Sequence, residues 1–210
     1  KAGEFYIYLS VIQDWPDVPS RTGNAVGLDF GIKHFLTMDN GKTIDSPQWY
    51  LNSIKEIRNA HRAVSRCQKG SNNRRRALQN LERIYKRICN RRQDWFFKLA
   101  NELVSQYAVI CIENLNLEGM KHLWGRKVSD IAYGEFTQIL EWVARKNGCT
   151  VVKVDRWMPS SKACHVCGTL NTSLRLSDRT WQCESCGTTL DRDANAAINI
   201  REAGLSLLTA

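Results

Sequence analysis

The chain has 210 residues, 43 % of them hydrophobic, which suits one substantial domain with a small insertion. No apolar run approaches the ~18 residues of a membrane-spanning helix, which excludes that class. The net charge of +9 is unevenly placed: residues 55–98 hold fourteen basic and three acidic side chains, +11, while the other sixteen basic and eighteen acidic ones leave −2.

Such a concentrated positive stretch suits a phosphate backbone, the plainer alternative being a solvated helix face. Its candidate nucleic-acid contacts are Arg58, Arg62, Arg66, Arg74, Arg75, Arg76, Arg83 and Arg87, joined further along by Arg156 and Lys162. Trp124 and Trp157, near Lys121, Arg126 and Arg156, are candidates to stack on unpaired bases or, equally, to pack in the core.

The sequence opens without Met and runs directly into an alternating pattern over Glu4–Val11, which predicts a strand; the start reads as a cut end with further chain before it. Strands are expected over Ala25–Phe30, His34–Asp39 and Lys42–Ile44, with Asn40-Gly41 as a hairpin signal between the last two. From Gln48 to Gln106 apolar residues recur at helical spacing: Leu51, Ile54, Ile57 and Val64, then Leu78, Leu81, Tyr85 and Ile88. Lys69-Gly70-Ser71-Asn72-Asn73 interrupts the pattern, so two antiparallel helices joined by a basic turn are expected, the second continuing through Trp95, Leu99 and Leu103. Ala108–Glu113 reads as a buried strand, Asp130–Asn147 as an amphipathic helix ended by Gly148, and Thr150–Val154 as a strand. A loop-rich module over Cys164–Cys186 and a helix over Asp191–Leu208 follow. This is the element order of an α/β, RNase H-like fold: a mixed five-stranded sheet with flanking helices, here with a long basic helical hairpin.

Three carboxylates need explaining. Asp29 lies in the strand Val26-Gly27-Leu28-Asp29-Phe30-Gly31, and Asp is disfavoured in strands. Glu113 ends the apolar run Val109-Ile110-Cys111-Ile112, and Asp193 stands near the start of the last helix. A buried carboxylate is costly unless paired or bound to metal. Carboxylates from distant segments can hold a pair of Mg²⁺ or Mn²⁺ ions for in-line phosphoryl displacement. Singly, each has an ordinary alternative as a turn residue, a strand-end charge or a helix N-terminal acid. Asp191 competes with Asp193 and reads as the helix N-cap.

Cys164-x2-Cys167-x15-Cys183-x2-Cys186, with Gly168 and Gly187 after the second cysteine of each pair, reads as a closed four-thiolate Zn²⁺ site, structural because it leaves no open position. Disulfides or an iron–sulfur cluster are the alternatives. Cys67, Cys89, Cys111 and Cys149 read as small core hydrophobes.

Val26-Gly27-Leu28-Asp29-Phe30-Gly31, Ile112-Glu113-Asn114-Leu115, Pro159-Ser160-Ser161-Lys162-Ala163-Cys164, the paired CxxC-Gly knuckles and Asp191-Arg192-Asp193-Ala194-Asn195-Ala196-Ala197-Ile198-Asn199-Ile200 resemble the C-terminal half of the TnpB family. These are transposon-encoded RNA-guided DNA nucleases related to the compact type V CRISPR effectors. The resemblance implies a split RuvC nuclease domain at 21–157 and 188–210 with Asp29, Glu113 and Asp193 as catalytic acids. It implies a zinc-ribbon insertion at 158–187 that binds target nucleic acid, and residues 1–20 as the last strand of a missing N-terminal recognition half. A guide RNA and target DNA are the implied partners, Mg²⁺ (or Mn²⁺) and Zn²⁺ the cofactors, and the prokaryotic cytoplasm the location. A nuclease-inactive RNA-guided repressor and a RuvC-type junction resolvase are the alternatives. An inactive relative would have lost an acid, and a resolvase would need neither the ribbon nor the basic hairpin.

Overall fold

The computed structural model describes residues 5–10, 18–115, 131–175 and 177–209. They form two compact units, one built on Pro47–Lys98 with the opening segment, the other on Val18–Ser46 and Leu99–Ala210. No helix among the described residues is long and apolar enough to cross a membrane.

The first unit holds α1 (Trp49–Asn52), α2 (Ile54–Arg66) and the part of α3 (Asn72–Gln106) up to Lys98. Ile57, Ala60 and Val64 recur on one face of α2 and bury against Leu81, Ile84 and Ile88 of α3. Polar contacts fix the two helices antiparallel. Arg74 Nη1 donates to the Val64 carbonyl at 2.9 Å next to the turn, His61 meets the Tyr85 hydroxyl at 3.1 Å, and Arg87 pairs with Glu56 at 2.5 Å. The expected hairpin is thus present. The expected strand at Glu4–Val11 does not form over residues 5–10, where Phe5, Ile7, Tyr8 and Leu9 stand exposed; Glu4 and Val11 lie outside the described residues. Alternation supplies a half-buried face, but a strand also needs a neighbour for its backbone groups.

The second unit is a mixed five-stranded sheet with helices. Its strands are β1 (Ala25–Phe30), β2 (Leu36–Met38), β3 (Thr43–Ile44), β4 (Val109–Glu113) and β5 (Thr150–Val154), in the order β3-β2-β1-β4-β5. β1, β2 and β3 pair antiparallel, and β4 and β5 add parallel to β1. The two central strands are the most apolar, and Val26, Leu28, Ile110 and Ile112 have no exposed surface. Helix α4 (Tyr133–Lys146) covers one face through Tyr133 and Phe136, which pack edge-on and stacked against Phe30 and Phe35. It ends at Gly148, whose φ of +67° and the Pro19 carbonyl above it leave no room for a side chain. The predicted start of that helix, Asp130, lies outside the described residues.

Helix α5 (Arg192–Thr209) covers the other face, with Ile200 against Cys111, Val152 and Val154. Its approach is set by two glycines. A Cβ on Gly27 would sit 1.8 Å from the Ala197 carbonyl oxygen, and one on Gly204 would sit 2.3 Å from Cys111 Sγ. Between β5 and α5 comes a small hairpin, β6 (Thr180–Gln182) and β7 (Thr189–Asp191). The end expected for the insertion, residue 187, falls inside this hairpin.

The close backbone approach at Gly27 gives the first prediction. Gly27→Ala should destabilise the chain by about 3 kcal/mol or more, since the contact atom is backbone and cannot swing away. Gly41→Ala, at φ +79° with nothing within 4 Å, should cost only about 1 kcal/mol, for left-handed strain. Denaturant titration of both variants measures the difference.

Candidate active site and cysteine cluster

Register brings two of the carboxylates together. β1 and β4 are parallel with Leu28 opposite Ile112, so the next residues, Asp29 and Glu113, lie near the C-terminal ends of adjacent strands on the same face. That is the face covered by α5. From the Gly27–Ala197 contact, two strand residues to Asp29 advance about 6.6 Å, and four helix residues back to Asp193 retreat about 6 Å. The third acid is therefore carried over the first. All three line one cavity of about 680 Å³, with Lys33, Ser160, Lys162, Arg175, Arg179 and Arg192 among its other walls. Asp191 is the N-cap of α5: its Oδ1 accepts from the backbone N–H of Asp193 at 3.1 Å and of Ala194 at 2.9 Å. That leaves Asp193 as the member facing the cavity.

The electrostatics are those of a crowded acidic pocket. Burial, then the charges of Glu113 and Asp193, push the Asp29 carboxyl well above the usual range, opposed by Arg192. Burial also raises Glu113, against the lowering effect of a hydrogen bond donated by the Ser160 hydroxyl to its Oε1. Asp193 is held by Arg179 at 3.1 Å and Arg192 at 2.8 Å. Tyr133, whose hydroxyl donates to the Gly31 carbonyl, is raised by burial and by the Asp29 charge. Three carboxylates sharing a cavity, two of them resisting ionisation, are a donor set that suits hard divalent cations.

The four cysteines converge more tightly. Their sulfurs lie within 4.8 Å of one another, the one such ligand group among the described residues; the three carboxylates share their cavity without closing to that span. A tetrahedral shell at ~2.3 Å places sulfurs about 3.8 Å apart. Cys164 and Cys186 are 3.7 Å apart, and Cys167 and Cys183 3.5 Å, with all eight cysteines of the chain free thiols. The two knuckles, Cys164-His165-Val166-Cys167-Gly168-Thr169 and Cys183-Glu184-Ser185-Cys186-Gly187-Thr188, fold alike. Gly168 and Gly187 take φ +74° and +73°, and their N–H groups donate to Cys164 and Cys183 carbonyls at 2.8 Å. Thr169 and Thr188 bring hydroxyl and backbone groups to Cys167 and Cys186. These contacts lower both thiols, Cys167 to about 6, whereas burial pushes Cys164 up to about 11. Trp181 and Leu190 of the β6–β7 hairpin pack on Cys164 and Cys183.

Of the basic candidates, Arg58, Arg62, Arg66, Arg75, Arg76, Arg83 and Arg87 are exposed on the first unit, Arg87 in its pair with Glu56. Arg74 differs: it is half-buried and ties the hairpin turn to the Val64 carbonyl. Arg156 and Lys162 are exposed on the second unit, and Lys162 lines the acidic cavity. Trp157 is 84 % exposed and so is not a core residue; Lys121, Trp124 and Arg126 lie outside the described residues. Cys111 and Cys149 are buried as expected, but Cys89 is exposed, off the apolar stripe of α3, and Cys67 is only half-buried, as the extended residue just past the end of α2.

Sequence reasoning missed Arg179, Ser160, Asn195 and Asn199. The last two carried a signal: two asparagines four apart on a helix face otherwise made of alanine and isoleucine are buried polar groups in search of partners.

Residues 9–123, more than half of the chain, match the OrfB_IS605 family, described as "Probable transposase". The chain belongs to this TnpB/IS605 family. Within the TnpB/IS605 frame, residues 133–200 match "Cas12f1-like, TNB domain". A "Putative RNA-guided DNA endonuclease" of Streptomyces pristinaespiralis is 37 % identical over 208 residues, covering 98 % of this chain and 51 % of that protein. "Putative RNA-guided DNA endonuclease InsQ" of Escherichia coli (strain K12) is 26 % identical over 223 residues, 98 % of this chain and 55 % of that protein. The chain thus spans about half the length of these TnpB/IS605 relatives. A chain in the "Cryo-EM structure of the Cas12f1-sgRNA-target DNA complex" shares the fold with a TM-score of 0.61 at 19 % identity, over 84 % of this chain and 49 % of that one.

The acidic pocket predicts an inverted pH response for this TnpB/IS605 chain. Asp29 is raised above its unfolded value. Its penalty is therefore complete above the folded pKa, shrinks as pH falls through it, and vanishes below the unfolded value. Without divalent ions, Asp29→Asn should melt above the parent at neutral pH, each 1 kcal/mol of relief being worth about 2–4 °C in a domain of this size. The gap should close on acidification and on addition of Mg²⁺, as differential scanning calorimetry would register.

Proposed function

We propose that the chain is the nuclease part of an RNA-guided DNA endonuclease, hydrolysing phosphodiester bonds at divalent metal ions held by Asp29, Glu113 and Asp193. The observation that carries this reading is the cavity itself. It gathers three carboxylates from β1, β4 and α5, two of them kept from ionising easily by burial, inside a rim of Lys33, Lys162, Arg175 and Arg179. Mg²⁺ or Mn²⁺ ions bound there would activate water and stabilise both oxygens of an in-line displacement. The chain's own part is to draw and align the substrate. The cationic rim attracts the backbone on either side of the scissile phosphate, and Arg179 and Arg192 hold Asp193 in place. On this reading the sheet, α4 and α5 form an RNase H-like (RuvC) domain. The cysteine module binds one structural Zn²⁺ through Cys164, Cys167, Cys183 and Cys186, and the insertion extends to the β7 hairpin strand. The exposed arginines of the α2–α3 hairpin lie along phosphates of the guide–target duplex or the displaced strand, which are read by shape and charge.

Asp29→Ala in the full-length, guide-loaded protein should abolish cleavage while leaving target binding within about threefold of the parent. Parent-like cutting by the variant would remove Asp29 from the site. Binding without cutting by the parent itself would turn the reading into an RNA-guided repressor.

The hairpin is tested by salt. Neutralising Arg75 and Arg76, rather than Arg74 with its structural bond, should weaken binding alike on all sequences. It should flatten the log–log salt dependence by ~0.9 per lost duplex contact, less on single strands. An unchanged slope would return these arginines to a solvated surface.

A further inference from the structure

Thr37, Ser160, Asn195 and Asn199 are buried polar residues. Three of them meet at one place. The Ser160 hydroxyl donates to Glu113 Oε1. The Ser160 carbonyl accepts from the Asn199 amide at 2.8 Å and the Asn195 amide at 3.4 Å, and the Ala163 carbonyl accepts from the same two amides at 2.7 and 2.8 Å. Asn195 Oδ1 accepts from the His165 backbone N–H at 3.0 Å and lies 3.0 Å from its ring Nδ1. Segment 160–165 is therefore fastened to α5, the helix that carries Asp193, and Cys164 sits inside the fastened stretch.

Burying polar groups costs free energy unless every one is paired. An apolar contact between this turn and α5 would hold them together with less risk. What the network adds is direction. A serine hydroxyl has one proton to give, and here it is given to a carboxylate that lines the acidic cavity. That bond fixes where one Glu113 oxygen stands. Hydrogen bonds from outside the ligand shell do this at metal sites generally, and losing one typically weakens metal affinity or activity 10–100-fold.

We propose that Ser160 is a positioning residue for Glu113, and that Asn195 and Asn199 hold it there, so that the seating of the cysteine module sets the orientation of a metal-binding acid 47 residues earlier in the chain. The proposal rests on the reading of Glu113 as a metal ligand.

The test is Mn²⁺ binding to the whole chain, without nucleic acid and at one pH, followed by the paramagnetic resonance signal of free Mn²⁺. Ser160→Ala should bind Mn²⁺ about tenfold more weakly, while remaining folded by circular dichroism at the assay temperature and keeping the parent's zinc content. Ser160→Thr, which restores the hydroxyl, should return to within about threefold of the parent. The double variant Ser160→Ala/Asn199→Ala should be little weaker than the Asn199→Ala single variant, because both break one path. Parent-like Mn²⁺ affinity in Ser160→Ala, alongside a weakened Glu113→Gln, would overturn the positioning role and leave the acid's assignment standing. Parent-like affinity in Glu113→Gln would instead overturn the assignment. Ser160→Thr as weak as Ser160→Ala would show that the hydroxyl is not what matters, and would also overturn the proposal.

Discussion

Helix α5 meets β1 backbone to backbone. With Gly27 beneath it, the Ala197 carbonyl occupies the space that any other residue's Cβ would fill. The contact fixes the height of the helix over the sheet, and the matched rises of strand and helix then deliver Asp193 above Asp29. Gly204 makes the same allowance over Cys111, on the strand that presents Glu113. Two missing side chains thus set the depth of the whole acidic cavity. A sheet with larger residues at these positions would hold the helix further off and carry the third carboxylate away from the other two.

The cavity works against the stability of the chain that builds it. Burial and mutual repulsion penalise the charged forms of Asp29 and Glu113, and Tyr133 stays protonated between the Gly31 carbonyl and the Asp29 charge. The surroundings compensate unevenly. Among the described residues Asp193 has two arginines, Glu113 has one hydroxyl, and Asp29 has the Arg192 charge to offset its neighbours. A fold selected for stability alone would place an amide or a methyl group at Asp29.

The sheet and the acids were legible because each left a local mark. Asp29 and Glu113 interrupt apolar strands, Asn40-Gly41 marks a hairpin, and Gly148 ends a helix. The cysteines were legible from spacing alone, since two knuckles of the same turn need the same residues. Arg179 was not legible: it precedes a short strand in a loop-rich stretch, and only the folded hairpin turns it toward Asp193. Ser160 was visible within a motif but without a role, because its partner is a strand away. The alternation at the start misled for a related reason. Period-two patterning describes a face, and whether a strand forms depends on a partner that the pattern does not contain. Cys89 misled because a helical residue off the buried stripe looks, in sequence, like one on it, and Cys67 because it falls one residue past the end of its helix.

The chain order of the acids has a temporal consequence. Asp29 lies on the first strand and Asp193 on a helix that follows every strand, 164 residues later. At roughly 5–20 residues per second of synthesis, about 8–30 seconds pass between the ribosome adding the first carboxylate and adding the last. During that interval the sheet has its basic companion helices but no complete acidic pocket. The cysteine turn emerges just before α5, so the segment that fastens to this helix is already made when the helix brings the third acid. By this order of emergence the strands that carry Asp29 and Glu113 wait for α5 before the three carboxylates can share one cavity.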